Sequence, residues 1–320
     1  MTDEEYQFIL EDRIAKIQAV DAQIDLRKNA HISYSGGKDS TVLHYLMDMA
    51  LPNNDIPRIY ANTGIEYIEM VKYVKSKATQ DKRFVILNQD KNIRRTLNEF
   101  GYPFKSKLHS QKVWRGQNNL RKGKEISDFL KQYIDPDYKS MIQKCPNVLT
   151  YQFKEILPFK ISDKCCDKLK KTLFHRYEEE TDRKIIITGM RADEGGAREN
   201  LTCLTHNNTK FHPLIVVSDE WEDEFIKRNN IQLCKLYYPP YDFDRTGCKG
   251  CPFALNLQKD LNRIYIYMPN EYKQIINLWK PVYDEYIRIG YRLKYYPHER
   301  GVQLNMFDLE EESDGSNKYI

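Results

Sequence analysis

Apolar residues Ile9, Ile14, Ile17, Val20 and Ile24 recur at helical spacing through residues 4–28 and predict an amphipathic helix at the start of the chain. The period then changes. Residues 31–34 form a short apolar run that predicts a buried strand, and Val42, Leu43, Leu46 and Met49 mark one face of a helix over residues 40–49. A second strand is predicted at Arg58–Asn62, a helix at 65–77, a third strand at 83–88 and a helix at 91–100. Later, a helix over 164–180 precedes the clearest strand of the second half, Lys-Ile-Ile-Ile-Thr-Gly-Met at 184–190. Strands separated by helices predict an α/β fold built on a doubly wound parallel sheet. Ligands of such sheets bind beyond the carboxyl ends of the strands.

Two stretches break the alternation. Residues 102–151 carry few strand signals, and 201–251 read as loop apart from one short helix near 219–229. Residues 255–289 are helical and rich in tyrosine, and 308–320 are polar and acidic, the composition of a disordered tail. The predicted organisation is therefore an N-terminal helix over 1–29, an α/β domain over 30–200 with an insertion at 102–151, a cysteine-containing helical segment over 201–300, and a tail over 301–320.

The 320 residues suffice for a sizeable core in one large domain or two small ones. No apolar run approaches the roughly 18 residues of a transmembrane helix. The first residues, Met-Thr-Asp-Glu-Glu, lack the basic-then-apolar pattern of a signal peptide. A cytoplasmic location with no membrane partner is expected. There the seven cysteines read as ligands or thiols rather than disulfides. A net charge of +4 is too small to argue for a nucleic-acid partner, so the placement of charge matters more.

The turn after the first strand reads Ser35-Gly36-Gly37-Lys38-Asp39-Ser40 and opens a helix. A strand, a glycine turn and a helix N-terminus make an anion site, because backbone N–H groups converge and the helix dipole adds positive potential. Lys38 adds a full charge, and the glycines let a phosphate approach the backbone. It is not the Walker motif, which needs Gly where Ile32 stands and Ser or Thr where Asp39 stands. The six residues resemble the pyrophosphate loop (PP-loop) of the ATP-pyrophosphatase superfamily. That resemblance implies an adenine nucleotide alpha hydrolase-like fold that grips the β,γ-pyrophosphate of ATP while the α-phosphate is attacked. It implies Lys38 and Ser40 on the leaving pyrophosphate and Asp39 near Mg2+.

Two further turns fall at the same edge of the predicted sheet. Asn62-Thr63-Gly64 follows the second strand, where the superfamily frequently has Asp-Thr-Gly. Asn62 can hydrogen-bond ribose or adenine but brings no charge to a metal, a part left to Glu66 or Glu69. Taken alone, the same residues read as a helix N-terminus capped by Thr63. Gly189-Met190-Arg191-Ala192-Asp193-Glu194-Gly195-Gly196-Ala197-Arg198 follows the strand at 184–190. Arginine forks suit phosphate or sulfate oxygens. The run resembles the Gly-x-Arg-x-x-Glu-Ser-x-x-Arg element of the phosphoadenylylsulfate (PAPS) reductase family, with Gly189, Arg191, Glu194 and Arg198 at matching positions.

Cys165 and Cys166 are adjacent, and Cys248 and Cys251 form a C-x-x-C closed by Pro252. Four thiols would supply a site for a 4Fe–4S cluster, for zinc, or for nothing. Adjacent cysteines are unusual for structural zinc, and the pattern resembles the 4Fe–4S signature of adenylylsulfate reductases. That resemblance implies an iron–sulfur and helical segment at the C-terminal side of the sheet. Cys145, Cys203 and Cys234 have no partner at ligand spacing. Phe211-His212-Pro213-Leu214, then Ser218-Asp219-Glu220-Trp221, then Tyr237-Tyr238-Pro239-Pro240 up to Gly247-Cys248 continue the resemblance to the PAPS reductase family, from about Ala30 to Phe253.

Two departures shape the expected activity. Reductases of that family carry a catalytic cysteine in a C-terminal tail, and no cysteine follows Cys251. They also generally have a degraded first turn, whereas this one is complete. The combination resembles the iron–sulfur sulfurtransferases of DNA phosphorothioation. It implies ATP-dependent adenylylation of an acceptor, with sulfur from a donor such as a cysteine desulfurase, Arg191 and Arg198 joining Lys38 and Asp39 in catalysis. The alternatives are thiol-dependent reduction of adenylylsulfate or PAPS, and a non-catalytic nucleotide-sensing iron–sulfur subunit.

Residues 105–124 hold Lys105, Lys107, His109, Lys112, Arg115, Arg121, Lys122 and Lys124 with Trp114 and no acid. A basic stretch with an aromatic suits nucleic acid, and equally a solvated loop. Gln303-Leu304-Asn305-Met306-Phe307 resembles the peptide by which bacterial DNA-metabolising proteins dock on a replication sliding clamp, and equally suits packing on this chain's own helices.

Overall fold

A computed structural model describes residues 1–138, 144–194 and 201–300. Arg198 and the peptide Gln303 to Phe307 lie outside the described residues, as does the side chain of Glu194. The chain forms two compact units, each from two stretches: Met1–Lys91 with Lys168–Cys248, and Asn92–Asp167 with the chain from Lys249 onward.

The first stretch holds helices α1 (Asp3–Ile24) and α2 (Leu26–Asn29), strand β1 (Ala30–Ser33), helix α3 (Lys38–Ala50), strand β2 (Arg58–Asn62), helix α4 (Ile68–Gln80) and strand β3 (Phe84–Asn88). The second holds α5 (Ile93–Phe100), α6 (Lys107–Arg121), α7 (Asp128–Ile134), a 3-10 segment at Asn147–Phe153 and a short α8 (Lys164–Cys166). A π-helical turn (Asp167–Lys171) leads into α9 (Thr172–Thr181), followed by β4 (Ile185–Ile187), β5 (Leu204–Thr205), β6 (Lys210–Phe211) and α10 (Asp219–Arg228). Helices α11 (Leu257–Tyr267), α12 (Pro269–Ile289) and α13 (Pro297–Arg300) complete the second unit.

In the first unit the strands run β3-β2-β1-β4-β6-β5, all parallel except β5, which is antiparallel to β6. This is the mostly parallel α/β sheet the alternation predicts. Strand β1 is buried on both faces, and its side chains alternate as a pleat requires. His31 stacks on Phe174 and meets Tyr177 edge-on, both from α9, whereas Ala30 and Ile32 join the core formed with α1 and α3. Between β1 and its neighbours β2 and β4 the connections diverge, and the turns that follow these strands meet at the switch point where such sheets bind ligands.

Helix α10 is fixed by its own apolar face. Trp221 and Phe225 are fully buried, the Trp221 ring stacks on Tyr6 of α1, and its Nε1 donates to the Tyr6 carbonyl at 3.2 Å. Ser218 caps the helix by accepting from the Trp221 N–H. These contacts orient the acidic residues beside Trp221. A second polar node surrounds the buried Arg58: it donates to Asp48 Oδ1 at 2.6 Å and to Asn54 Oδ1 at 2.8 Å, and the partly exposed Arg83 donates to both Asp48 oxygens.

In the second unit, residues 105–124 are not a loop. Most form α6, and the helix turns His109 and Lys112 inward. His109 bonds Tyr133 Oη at 2.9 Å and Gln152 Oε1 at 2.8 Å, and burial pushes its pKa down to about 3. The Lys112 ammonium sits 4.6 Å and 4.3 Å from the ring centres of Phe129 and Tyr133. Neither residue can meet a phosphate. Among the described residues, no helix is long and apolar enough to cross a membrane.

A candidate phosphate-binding site at the sheet's switch point

The turn Ser35–Ser40 is held from inside by its own hydroxyls. Ser40 Oγ is buried, accepts from the Ser35 N–H at 3.2 Å and donates to the Gly37 carbonyl at 3.0 Å. Thr41 Oγ1 donates to the same carbonyl at 2.9 Å. Ser40 thus shapes the turn. Gly36 has φ +76°, and a side chain there would collide with the Met70 sulfur of α4. Gly189 lies across the turn, where a Cβ would come within 2.8 Å of the Asp39 carbonyl oxygen. Only glycine lets the two turns approach this closely.

Gly37 caps α3 with no side-chain bond, so the helix N-terminus relies on other acceptors. Tyr237 Oη accepts from the Lys38 N–H at 3.0 Å and shares a 2.7 Å bond with Thr246 Oγ1. Tyr237 occupies a backbone donor that a phosphate oxygen can take. The sequence places it in the run leading to Cys248, but nothing in that run marks it as a site residue.

Two cations meet carboxylates here. Lys38 Nζ donates to Asp223 Oδ1 at 3.0 Å and lies 3.3 Å from Glu222 Oε2. Arg191 is buried; its Nε donates to Asp39 Oδ1 at 2.7 Å, and its Nη2 reaches Asp219 and lies 3.5 Å from Glu222 Oε2. The remaining nitrogen, Arg191 Nη1, is buried with no hydrogen-bond partner among the described residues. Burial opposes the charge on both residues, but Glu222 and its neighbours outweigh it and hold both above their ordinary values. Glu222 is fully buried, and neither of its oxygens takes an aligned hydrogen bond among the described residues. Burial and the Asp39 charge push its carboxyl up to about 7 against the pull of Arg191 and Lys38. Asp219, Glu222 and Asp223 share α10. Sequence reasoning misses all three as site residues; the only signal for them is the Ser218 to Trp221 run.

The turn after β2 is self-contained. Thr63 donates through its N–H and Oγ1 to the buried Glu66 carboxylate at 2.9 Å, and Lys170 lies 3.5 Å from Glu66. Helix α4 begins later, at Ile68, with Tyr67 as its cap, so Thr63 closes a turn rather than capping that helix. Gly64 has φ +83°. Asn62 Nδ2 donates to Asn88 Oδ1 at 2.8 Å at the ends of β2 and β3. Glu69 is paired with Lys72.

Cys165 is buried and its Sγ is 4.0 Å from that of Cys166. Cys165, Cys166 and Cys251 belong to the second unit, and Cys248 is the last residue of the first. Helix α12 pins the turn after Cys248 through its backbone carbonyls. Trp279 Nε1 donates to Lys249 at 3.1 Å, Tyr286 Oη donates to Pro252 at 2.9 Å, and Tyr283 Oη donates to Gly250. Their spacing puts the three donors on one helix face, which gives Tyr283 and Tyr286 of the tyrosine-rich stretch a structural task. Among the described residues, no group of three or more His, Cys, Asp or Glu side chains is gathered as ligands of a metal ion. Burial raises the thiol pKa of Cys145, Cys203 and Cys234, which lowers their thiolate fraction.

The phosphoadenosine phosphosulfate reductase domain model matches residues 29–143 and 143–254, which span all of these turns and both cysteine pairs. An uncharacterized protein of Methanocaldococcus jannaschii is 24% identical over 319 residues, covering 92% of this chain and 61% of the relative. The chain thus spans about three fifths of that relative's length. Among solved structures, a PAPS reductase of Candida auris in complex with phosphate is 11% identical, with a TM-score of 0.39 over 74% of this chain and 91% of that one. A U34-tRNA thiolase of Methanococcus maripaludis with its 4Fe–4S cluster is 14% identical, with a TM-score of 0.36 over 86% of this chain and 78% of that one.

Proposed function

The chain belongs to the phosphoadenosine phosphosulfate reductase domain family, and we propose that it is an ATP-dependent enzyme that adenylylates an acceptor for sulfur transfer. One observation carries the reading. A complete Ser35–Ser40 turn at a helix N-terminus faces a buried arginine that keeps one guanidinium nitrogen unbonded among the described residues. An orphan buried donor costs about 1–3 kcal/mol, and a phosphate oxygen would remove that cost.

In this reading the nucleotide phosphates replace the carboxylates on Lys38 and the hydroxyl of Tyr237 on the Lys38 N–H. Lys38 and Arg191 then stabilise charge on the β- and α-phosphates, and Arg198 of the same sequence element as Arg191 joins them. An acceptor oxygen attacks the α-phosphorus, the bond to the β-phosphate oxygen breaks, and pyrophosphate leaves. A sulfur nucleophile then displaces AMP from the activated acceptor. Asn62, Thr63 and Gly64 edge the nucleoside side, and Gly189 and Glu194 the arginine side. Hard carboxylate oxygens suit Mg2+, and Asp39 is the donor nearest the loop; magnesium would neutralise phosphate charge.

Four thiols fit an iron–sulfur cluster in donor chemistry, and Cys165, Cys166, Cys248 and Cys251 are the residues that would hold it. The cluster would supply electron transfer or a sulfur-binding iron. Softness of the donors alone leaves zinc as the competing ion.

The acceptor we assign is a nucleic acid. With His109 and Lys112 turned inward, the exposed residues of α6 include Lys107, Trp114, Arg115 and Arg121, cations with an aromatic and no acid. Such a face suits phosphates and a stacked base. The sulfur donor would be a persulfide carrier such as a cysteine desulfurase.

The test is a pyrophosphate-release assay with purified protein, ATP and single-stranded DNA or tRNA, run anaerobically. Acceptor-dependent pyrophosphate supports the reading. Sulfite from PAPS or adenylylsulfate with a thiol would instead mark a reductase, the activity for which the family is named. Nucleotide binding with neither product would make the chain a sensing subunit.

A further inference from the structure

Three carboxylates of α10 stand where nucleotide phosphates would arrive, and one of them differs from the others. Asp219 and Asp223 each keep 68% of the side chain open to water, so either can turn away from its cation. Glu222 is fully buried. Its Oε2 lies 3.3 Å from Lys38 Nζ and 3.5 Å from Arg191 Nη2, so one oxygen faces both cations of the phosphate site. Neither of its oxygens takes an aligned hydrogen bond among the described residues.

The core holds Glu222 in place. Its neighbour Trp221 is fully buried, stacks on Tyr6 of α1 and on Phe225, and donates to the Tyr6 carbonyl at 3.2 Å. Moving α10 far enough to carry Glu222 into water would break this packing. The charges around Glu222 come from three elements. Lys38 and Asp39 belong to α3, Arg191 to the turn after β4, and Asp219 and Asp223 to α10 itself. Arg245 bears on Asp219 electrostatically. From α1 comes Tyr6, whose hydroxyl accepts from Asn229 Nδ2 at 3.5 Å. Phosphates would add negative charge to the same two cations, beside a carboxylate that water does not reach. An added anion disfavours the charged form of a buried carboxyl. Burial and Asp39 already push this one up to about 7, so its proton is within reach at neutral pH.

We propose that Glu222 is protonated when phosphates occupy Lys38 and Arg191, so that nucleotide binding takes up a proton from solvent. The proton adds to the carboxylate, and no bond of the nucleotide forms or breaks in this step. The neutral carboxyl gains an O–H that a phosphate oxygen can accept. This assignment rests on the phosphate site proposed above and states the protonation in which that site takes its ligand.

The full chain is titrated calorimetrically with ATP, without acceptor, at about pH 8. There Glu222 is mostly charged, and the phosphates are well above their second pKa of about 6. Buffers of small and large ionisation enthalpy report the protons exchanged. The parent should take up roughly 0.5–1 proton per ATP bound. A ligand that raises a pKa binds more tightly at lower pH. Affinity should therefore weaken by up to about tenfold per unit as pH rises above 7, and this dependence should flatten below 7. Glu222→Gln should take up no proton and should bind ATP at least as tightly as the parent at about pH 8. Asp223→Asn removes an exposed carboxylate from the same lysine and should keep the uptake. Adding Mg2+ should also keep it.

ATP binding without proton uptake in the parent, or equal uptake in Glu222→Gln, overturns the proposal and leaves the phosphate site standing. Loss of uptake in Asp223→Asn would move the proton to that residue, and loss on adding Mg2+ would put a cation in its place; both overturn it. Melting curves check that the variants fold. Where Glu222→Gln does not, difference infrared spectra of the parent decide. ATP should add the band of a protonated carboxyl, and its absence overturns the proposal. No ATP binding by the parent removes the phosphate site itself, and this inference with it.

Discussion

Arg191 Nε and Asp39 Oδ1 are 2.7 Å apart, although 152 residues separate them in the chain. The bond ties the turn after β4 to the first turn of α3. Arg191 Nη1 is left with no hydrogen-bond partner among the described residues. Arg191→Ala should lower the rate of pyrophosphate release about 10²- to 10³-fold, the usual cost of one transition-state donor. Arg191→Lys should not restore it, because a compact ammonium lacks the planar fork whose separate nitrogens reach Asp39 and Asp219. Full activity in the lysine variant would show that only the charge matters.

Glu222 gives a pH test. Its carboxyl is raised from 4.5 to about 7 by burial and by Asp39, so the folded protein binds that proton more tightly than the unfolded chain. The associated stability is fully present below pH 4.5 and is lost as pH rises towards 7. Glu222→Gln should remove this slope. Measured by urea denaturation, the variant should gain on the parent across that window, by roughly 1–3 kcal/mol. It should also bind ATP more tightly, since Lys38 loses a competing carboxylate. A constant stability difference from pH 4.5 to pH 7 would remove the titration from Glu222.

Asp48 tests the buried ion cluster. Burial pushes this carboxyl up, but the Arg83 hydrogen bond and the charges of Arg58 and His44 outweigh it and hold it below its ordinary value. Its contribution is present at neutral pH and is lost as pH falls through the lowered pKa. Asp48→Asn leaves Arg58 buried without its carboxylate and should cost about 3–5 kcal/mol at pH 7. A loss below about 1 kcal/mol, the scale of an exposed pair, would mean that Arg58 finds other partners.

The basic helix makes a prediction of its own. Removing Lys107, Arg115 or Arg121 should each reduce the salt slope of single-strand binding by about 0.7. Lys112→Met should leave the slope alone, because its ammonium is enclosed by Phe129 and Tyr133. A change in slope for Lys112 equal to the others would contradict its placement.

If the four thiols hold the proposed cluster, anaerobically purified protein should contain iron and sulfide and absorb broadly, and Cys166→Ser or Cys251→Ser should abolish both. Tyr283→Phe keeps every thiol but frees the Gly250 carbonyl. It should make the absorbance more labile to air without removing it at once. Stoichiometric zinc without iron would replace the cluster by a structural ion.

What is legible in the sequence is local. The period of β1 to β4 and the composition of Ser35–Ser40 are read within a few residues, and the strand–turn–helix they predict is the one that forms. What the sequence hides is distant. Asp223 meets Lys38 across 185 residues, and Tyr237 meets it across 199. No period or turn rule links such pairs; the burial of Trp221 and Phe225 fixes the helix that carries Asp223. The basic insertion is misread for a related reason. A count of charges cannot tell that α6 turns Lys112 inward between two rings while Trp114 stays exposed.

In the proposed function the Ser35–Ser40 turn holds the pyrophosphate that leaves ATP. The direct measurement is pyrophosphate release by the intact protein with ATP and single-stranded nucleic acid, compared between the parent and Lys38→Ala. Acceptor-dependent release should fall about 10²-fold or more in the variant, with the melting temperature nearly unchanged. Equal release by the two proteins, or none by the parent under any acceptor, would contradict it.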